Sequence, residues 1–153
     1  MIVLNSEQID TLIDRDEMMD QIEEAYKIFK AGDYYMPPRP CVEDVNKTMM
    51  YMPCYTKEVI GTKILSIFPD NAELGLPSID GIMYLNDYKT GKPLAVMDGQ
   101  RVTAWRTGAV GGVGIRHLSR KDCRTVGIAG AGVQGFYQAL YACAARPIDT
   151  VYV

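Results

Sequence analysis

Residues 124–135 read Arg124-Thr125-Val126-Gly127-Ile128-Ala129-Gly130-Ala131-Gly132-Val133-Gln134-Gly135. Thr125–Ala129 has β-type character and leads straight into GxGxxG, and helical periodicity follows without a break. Strand, glycines and helix in that order form a dinucleotide-binding fingerprint; the same glycines in another setting form only a turn. Gly130 permits the tight turn, Gly132 lets backbone approach a pyrophosphate, and Gly135 packs helix against strand. The helix start then turns free N–H groups and a positive dipole end toward phosphates. The pattern predicts a helix over 133–145 and a second strand over 150–153, the opening of a βαβ unit.

Working outward, the chain before this stretch mixes strands and helices. Residues 6–13 read as a short helix capped by Ser6. A longer helix starts at Asp14, whose spacing to Glu17 fits a capping box, with Met18, Ile22, Ala25, Tyr26 and Phe29 as its apolar stripe. Gly32 stops it, and Pro37-Pro38-Arg39-Pro40 must run extended. Residues 47–55 are apolar on both faces, as in a strand covered on both sides or placed at a subunit interface. Its methionines read as core filler. Residues 59–68 form another strand, and 79–86 with 93–98 a hairpin through 87–92. A helix covers 101–118. The polar run Ser119-Arg120-Lys121-Asp122 is the expected boundary, giving domains 1–119 and 120–153.

The 153 residues are 48% hydrophobic and 23% charged, an ordinary globular balance, and the net charge of −3 argues against a nucleic-acid or anionic-membrane surface. No apolar run approaches the ~18 residues of a membrane span. The N-terminus lacks the basic and apolar regions of a signal peptide. Cys41, Cys54, Cys123 and Cys143 are scattered without a CxxC pair, which points to free thiols in a cytoplasmic protein. With His117 the only histidine, no metal site is expected; His117 reads as a helix-end dipole partner.

Two cations stand out by position. Strand alternation puts Lys63 on the face of Val59, Gly61, Leu65 and Ile67, where an ammonium is costly unless it meets a partner or lines a site. Gly61 beside it leaves room for a ligand, and a snorkelling lysine at a strand edge is the alternative. Arg106 falls inside the stripe of Val102, Ala109, Val110 and Val113 and needs a carboxylate, from the protein or from a ligand. Arg39 is held between two prolines, a stiff mount that aims a charge, although a solvated loop arginine reads the same way. Gly108, Gly111, Gly112 and Gly114 weaken their helix by about 1 kcal/mol each relative to alanine, which close helix packing explains.

Together these stretches resemble the ornithine cyclodeaminase/mu-crystallin family. The matching segments are Met36-Pro37-Pro38-Arg39-Pro40, Gly61-Thr62-Lys63, Leu76-Pro77-Ser78, Thr90-Gly91-Lys92-Pro93-Leu94-Ala95, Arg106-Thr107-Gly108-Ala109 and Gly130-Ala131-Gly132-Val133-Gln134-Gly135. The resemblance implies an α/β protein: an N-terminal mixed α+β domain for substrate binding and dimerisation, then the start of a Rossmann domain for NAD, or NADP. It implies that Arg39, Lys63 and Arg106 contact an amino-acid or imino-acid substrate in one cleft, with Arg39 at its rim. Ser78 (threonine is common there in the family), Arg106, Thr107, Gly130, Gly132, Val133, Gln134 and Gly135 would serve the dinucleotide.

Family members run to roughly twice this length. The resemblance therefore implies an incomplete version, with the ribose-binding acid and the catalytic aspartate beyond Val153. Asp149 sits at the wrong end of its strand to hold the ribose. The implied activity is that of an NAD-dependent enzyme of ornithine cyclodeaminase type, converting L-ornithine to L-proline and ammonia through an imine. Arg39 and Arg106 would anchor the carboxylate, with Lys63 as the catalytic proton-handling group, its pKa lowered by an apolar site. Alanine dehydrogenase and ketimine or pyrroline-carboxylate reductase share the scaffold, and a mu-crystallin-like binding protein is the reading from another class.

Overall fold

The N-terminal strand β1 (Ile2–Leu4) runs parallel to β6 (Pro93–Asp98), although more than eighty residues of chain separate them. Between them come helices α1 (Ser6–Leu12) and α2 (Arg15–Ala31) and strands β2 (Cys41–Asp44), β3 (Lys47–Tyr55), β4 (Val59–Ile67) and β5 (Ile79–Asp87). Helix α3 (Gly99–Leu118), strand β7 (Thr125–Gly127), helix α4 (Val133–Ala145) and strand β8 (Thr150–Tyr152) complete the chain. This computed structural model describes all of residues 1–153. The chain divides into two compact units: Met1–Thr11 with Ile28–Val102, and Leu12–Lys27 with Thr103–Val153.

The first unit is a six-stranded sheet in the order β1-β6-β5-β4-β3-β2, antiparallel except at β1. Strands β3, β4 and β5 and the hairpin to β6 lie where alternation and turn residues predict them. Asp87 makes that hairpin's turn by accepting from Thr90 N at 2.7 Å, and Gly91 takes φ 68° there. Strands β1 and β2 were not expected from the sequence. Helix α1 is capped by Asn5 rather than by Ser6, which lies inside it. Asn5 Oδ1 accepts from Gln8 N at 2.9 Å, and Gln8 Oε1 accepts from Asn5 N at 3.0 Å, a reciprocal capping box. Asp14 caps α2 as expected, accepting from Glu17 N at 2.9 Å. Gly32, at φ 74°, ends α2. Helix α3 starts two residues earlier than periodicity suggests, because Asp98 accepts from Arg101 N at 2.7 Å.

In the second unit the parallel pair β7–β8 and helix α4 form the βαβ opening expected from the glycine motif. The core is Met19, Ala109, Val113 and Tyr141, with Met18, Ile22, Trp105, Ala144 and Ala145 packed around it. The buried residue of α2 is thus Met19, outside the predicted stripe, while Ala25, Tyr26 and Phe29 are exposed. The reason lies on α3. A Cβ on Gly112 would come within 2.7 Å of Met19 Sδ, so the missing side chain is what lets Met19 in. Gly108 and Gly111 are filled in the same way by Tyr137 with Tyr141, and by Gln138; Gly114 faces open space and has no packing role. Trp105 meets Tyr137 and Tyr141 edge-on, with ring centroids 4.9 and 6.0 Å apart.

Candidate functional site

In the sheet, Lys63 pairs with Met52 on one side and Met83 on the other; Met83 pairs with Met97, and Met97 with Leu4. Directly opposed residues share a face, so Lys63 stands in a row of methionines. Lys63, Met52, Met83 and Met97 are all half-buried. Cys41 pairs with Met50, and Tyr51 N donates to Pro40 O at 2.9 Å, so pairing continues past the end of β2. Arg39 directly precedes Pro40, at the outer edge of the sheet beside β3. Arg39 and Lys63 thus belong to the same sheet unit, with β3 between β4 and the edge where Arg39 lies. Arg39 is exposed, and its Nη2 lies 3.7 Å from Met36 Sδ.

Ser78 is not part of that row. It precedes β5, five residues before Met83 and hence ~17 Å along the strand. Its Oγ donates weakly to Pro69 O at 3.4 Å.

Arg106 belongs to the second unit. It is exposed and forms no salt bridge, so the internal ion pair allowed by its spacing is not made. Next to it, Thr107 Oγ1 is enclosed without a hydrogen-bond partner. Thr107 O accepts from Gln138 Nε2 at 3.0 Å. Gln138 lies one turn after Gln134, so Thr107 is tied to the N-terminal half of α4, the helix that the glycine motif opens.

The glycine turn has the shape of a phosphate cradle. Gly130 takes φ 107°, a region reserved for glycine. Gly132 is the N-cap of α4 with no side-chain cap, leaving the first-turn N–H groups to an outside acceptor. A Cβ on Gly130 or Gly132 would meet nothing within 4 Å, whereas one on Gly135 would lie 2.0 Å from Gly130 O. Gly135 is thus glycine for internal packing, while the space outside Gly132 is open. Ile128, Gly130, Ala131, Gly135, Phe136, Ala139 and Val153 line a cavity of about 220 Å³ beside the turn. The open turn at Gly130 and Gly132 and the uncapped start of α4 fit a dinucleotide phosphate.

Asp149 precedes β8 and lies 3.8 Å from Arg124. His117 is paired with Glu23 at 3.1 Å in the last turn of α3, and Arg116 meets Asp20 and Glu23 at 2.6 and 2.9 Å. Arg116, then His117, hold the Glu23 carboxyl below its ordinary value. Burial pushes the Tyr141 hydroxyl up to about 12. The four cysteines are free. No helix is long and apolar enough to cross a membrane.

The family model for the ornithine cyclodeaminase/mu-crystallin family matches residues 1–153, the whole chain. This chain belongs to that family. It is 36% identical over 137 residues to an alanine dehydrogenase of Archaeoglobus fulgidus, covering 90% of this chain and 42% of that protein. An archaeal alanine dehydrogenase dimer solved with bound NAD superposes at TM-score 0.88 with 34% identity, over 99% of this chain and 47% of that one. A Thermococcus litoralis Δ1-pyrroline-2-carboxylate reductase, solved with NADH and L-proline, gives TM-score 0.86 and 38% identity over 99% and 48%. The chain spans about half the length of these relatives.

The sequence missed the neighbours of Lys63. Alternation gave its face, but Met83 and Met97 reach its row only through strand register, which no local pattern states.

Proposed function

We propose that this protein is an NAD-dependent enzyme, with NADP as the alternative cofactor, acting on the Cα–N bond of a small amino or imino acid. The observation that carries this reading is the difference between Gly132 and Gly135. A cradle left open toward solvent, beside an uncapped helix start, is built for an outside anion. The nicotinamide would supply hydride exchange at the substrate Cα.

The chain's own residues supply the rest. Arg39 and Arg106 bind the substrate carboxylate, and an unpaired guanidinium at Arg106 keeps its planar fork available for two parallel hydrogen bonds. Lys63, in its row of methionines, holds or passes a proton at the α-nitrogen. Thr107, Val133 and Gln134 line the dinucleotide near its phosphates, with Ser78 a further contact. Oxidation of an amino acid and reduction of an imine are one such step in two directions. A cyclodeaminase of ornithine type adds attack by a side-chain amine on the imine and loss of ammonia. The A. fulgidus relative is named for the oxidation and the T. litoralis structure for the reduction, and a structurally similar lysine cyclodeaminase for the cyclising variant, so the three readings share one scaffold. A mu-crystallin-like binding protein would keep the cradle and lose turnover.

A dimer is part of the same proposal. The sheet face opposite Lys63 leaves Val3, Val42, Tyr51 and Ile82 exposed, and a second copy would cover them. Sedimentation that stays monomeric at all concentrations would remove that part.

Gly132→Val tests the cradle. Gly132 has φ −78° and open space around it, so the variant keeps its unfolding temperature. Its methyls occupy the pyrophosphate position, and NAD affinity should fall at least about tenfold. Unchanged NAD affinity would refute the assignment.

A further inference from the structure

We propose that Gln138 is a positioning residue for the dinucleotide site: its side-chain amide, seated in the gap left by Gly111, holds Thr107 in place against the helix that the cradle opens. This rests on the reading of Thr107 as a dinucleotide contact. Gln138 Nε2 donates to Thr107 O at 3.0 Å. Thr107 O lies inside α3, where the helix ladder already supplies a donor, so the amide takes its second lone pair. The helix would form without this bond. What the bond adds is a fixed placement of α3 against α4.

The sequence makes room for it. A Cβ on Gly111 would run into Gln138 Oε1, whereas the side chains that meet Gly108 and Gly112 are those of Tyr137, Tyr141 and Met19. An amide in such a slot is costly unless bonded, and a leucine would fill the space without that cost. Position along the helix gives the bond its role. Gln138 lies six residues after the N-cap Gly132, or ~9 Å along α4. Thr107 Oγ1 is enclosed without a partner, so its reach to an outside acceptor depends on where α3 stands. A second tie sits at the far end of α4. Arg146 Nη2 donates to Arg116 O and Ser119 O at 2.7 and 3.1 Å, and its Nε to Arg120 O at 3.0 Å. That tie is fourteen residues from Gly132, or ~21 Å, so of the two only Gln138 is near the cradle.

Three variants of the full-length protein separate placement from packing: Gln138→Ala, Gln138→Ala with Gly111→Ala, and Arg146→Met. The NAD dissociation constant is read by titration calorimetry and the unfolding midpoint by scanning calorimetry. Gln138→Ala should raise the NAD dissociation constant about fivefold, the equivalent of one hydrogen bond. Adding Gly111→Ala refills the slot with a methyl. It should restore the midpoint while leaving NAD affinity low, because the bond to Thr107 O is still absent. Arg146→Met should lower the midpoint with NAD affinity unchanged. NAD affinity that is unchanged in Gln138→Ala, restored with the midpoint in the double variant, or lost equally in Arg146→Met would reduce Gln138 to packing. Any of these would overturn the inference and leave NAD binding by the unaltered protein intact. No NAD binding by the unaltered protein would overturn the proposed function, and the inference with it.

Discussion

Gly108→Ala and Gly114→Ala make the same chemical change on one helix, and the structure gives them opposite signs. In an exposed helix interior the change stabilises by about 1 kcal/mol, through the entropy that glycine loses on folding. At Gly114 nothing lies within 4 Å of the new methyl, so that gain stands alone. At Gly108 the methyl would lie 2.7 Å from Tyr141 Cδ2, 2.8 Å from Tyr137 O and 2.9 Å from Tyr137 Cβ. One of those atoms is backbone, and Tyr141 is fully buried, so neither neighbour yields cheaply. Overpacking of that kind costs about 3 kcal/mol at the upper end of its usual range and outweighs the propensity gain. The net is a loss of about 2 kcal/mol at Gly108 against a gain of about 1 at Gly114. For a chain of this size the unfolding midpoint should fall by roughly 4–8 °C for Gly108→Ala and rise by roughly 2–4 °C for Gly114→Ala. Scanning calorimetry of the two variants reads both. Equal shifts of the same sign would refute the close packing of α3 against α4.

Arg106→Lys should leave stability unchanged, because Arg106 is exposed and unpaired, yet lower kcat/KM about tenfold or more, since an ammonium cannot replace a planar fork. Unchanged kcat/KM in the full-length variant would remove Arg106 from carboxylate binding. Glu23 supplies a pH dependence. Its folded pKa is held below the ordinary 4.5 by Arg116 first and His117 second, so its stabilisation is complete above that value and is lost as pH falls through the lowered pKa. Glu23→Gln should therefore flatten the acid limb of the unfolding temperature against pH; an unaltered limb would show that the cluster contributes nothing.

Local chemistry carried much of this molecule. The hairpin of β5 and β6 was legible because Asp87 and Gly91 are turn residues with turn geometry, and α4 because the glycine pattern announces its start. The glycines of α3 were legible as packing positions, but not the side chains that fill them. What escaped was set by distant partners. Strand β1 exists because β6 offers it a parallel edge, and three residues with no turn nearby give no periodic signal. The stripe of α2 was read only in part: Met18 and Ile22 pack on the core, but periodicity does not say which apolar positions a partner will cover. Gly112 makes room for Met19, while Tyr26 and Phe29 stay exposed. At the site, the face of Lys63 followed from alternation, and its methionine neighbours depended on register across four strands. Gly135 was legible too: the motif assigns it to packing, and a Cβ there would run into Gly130 O.

The central claim is that hydride passes directly between the Cα of an amino acid and a bound nicotinamide. The measurement is incubation of the full-length protein with NAD and L-alanine or L-norvaline deuterated at Cα, followed by mass analysis of the nicotinamide product. The account predicts that the deuterium appears on the reduced nicotinamide, and that Gly132→Val abolishes the transfer at the same NAD concentration. Turnover with the deuterium lost to solvent, or unimpaired transfer in Gly132→Val, would contradict it.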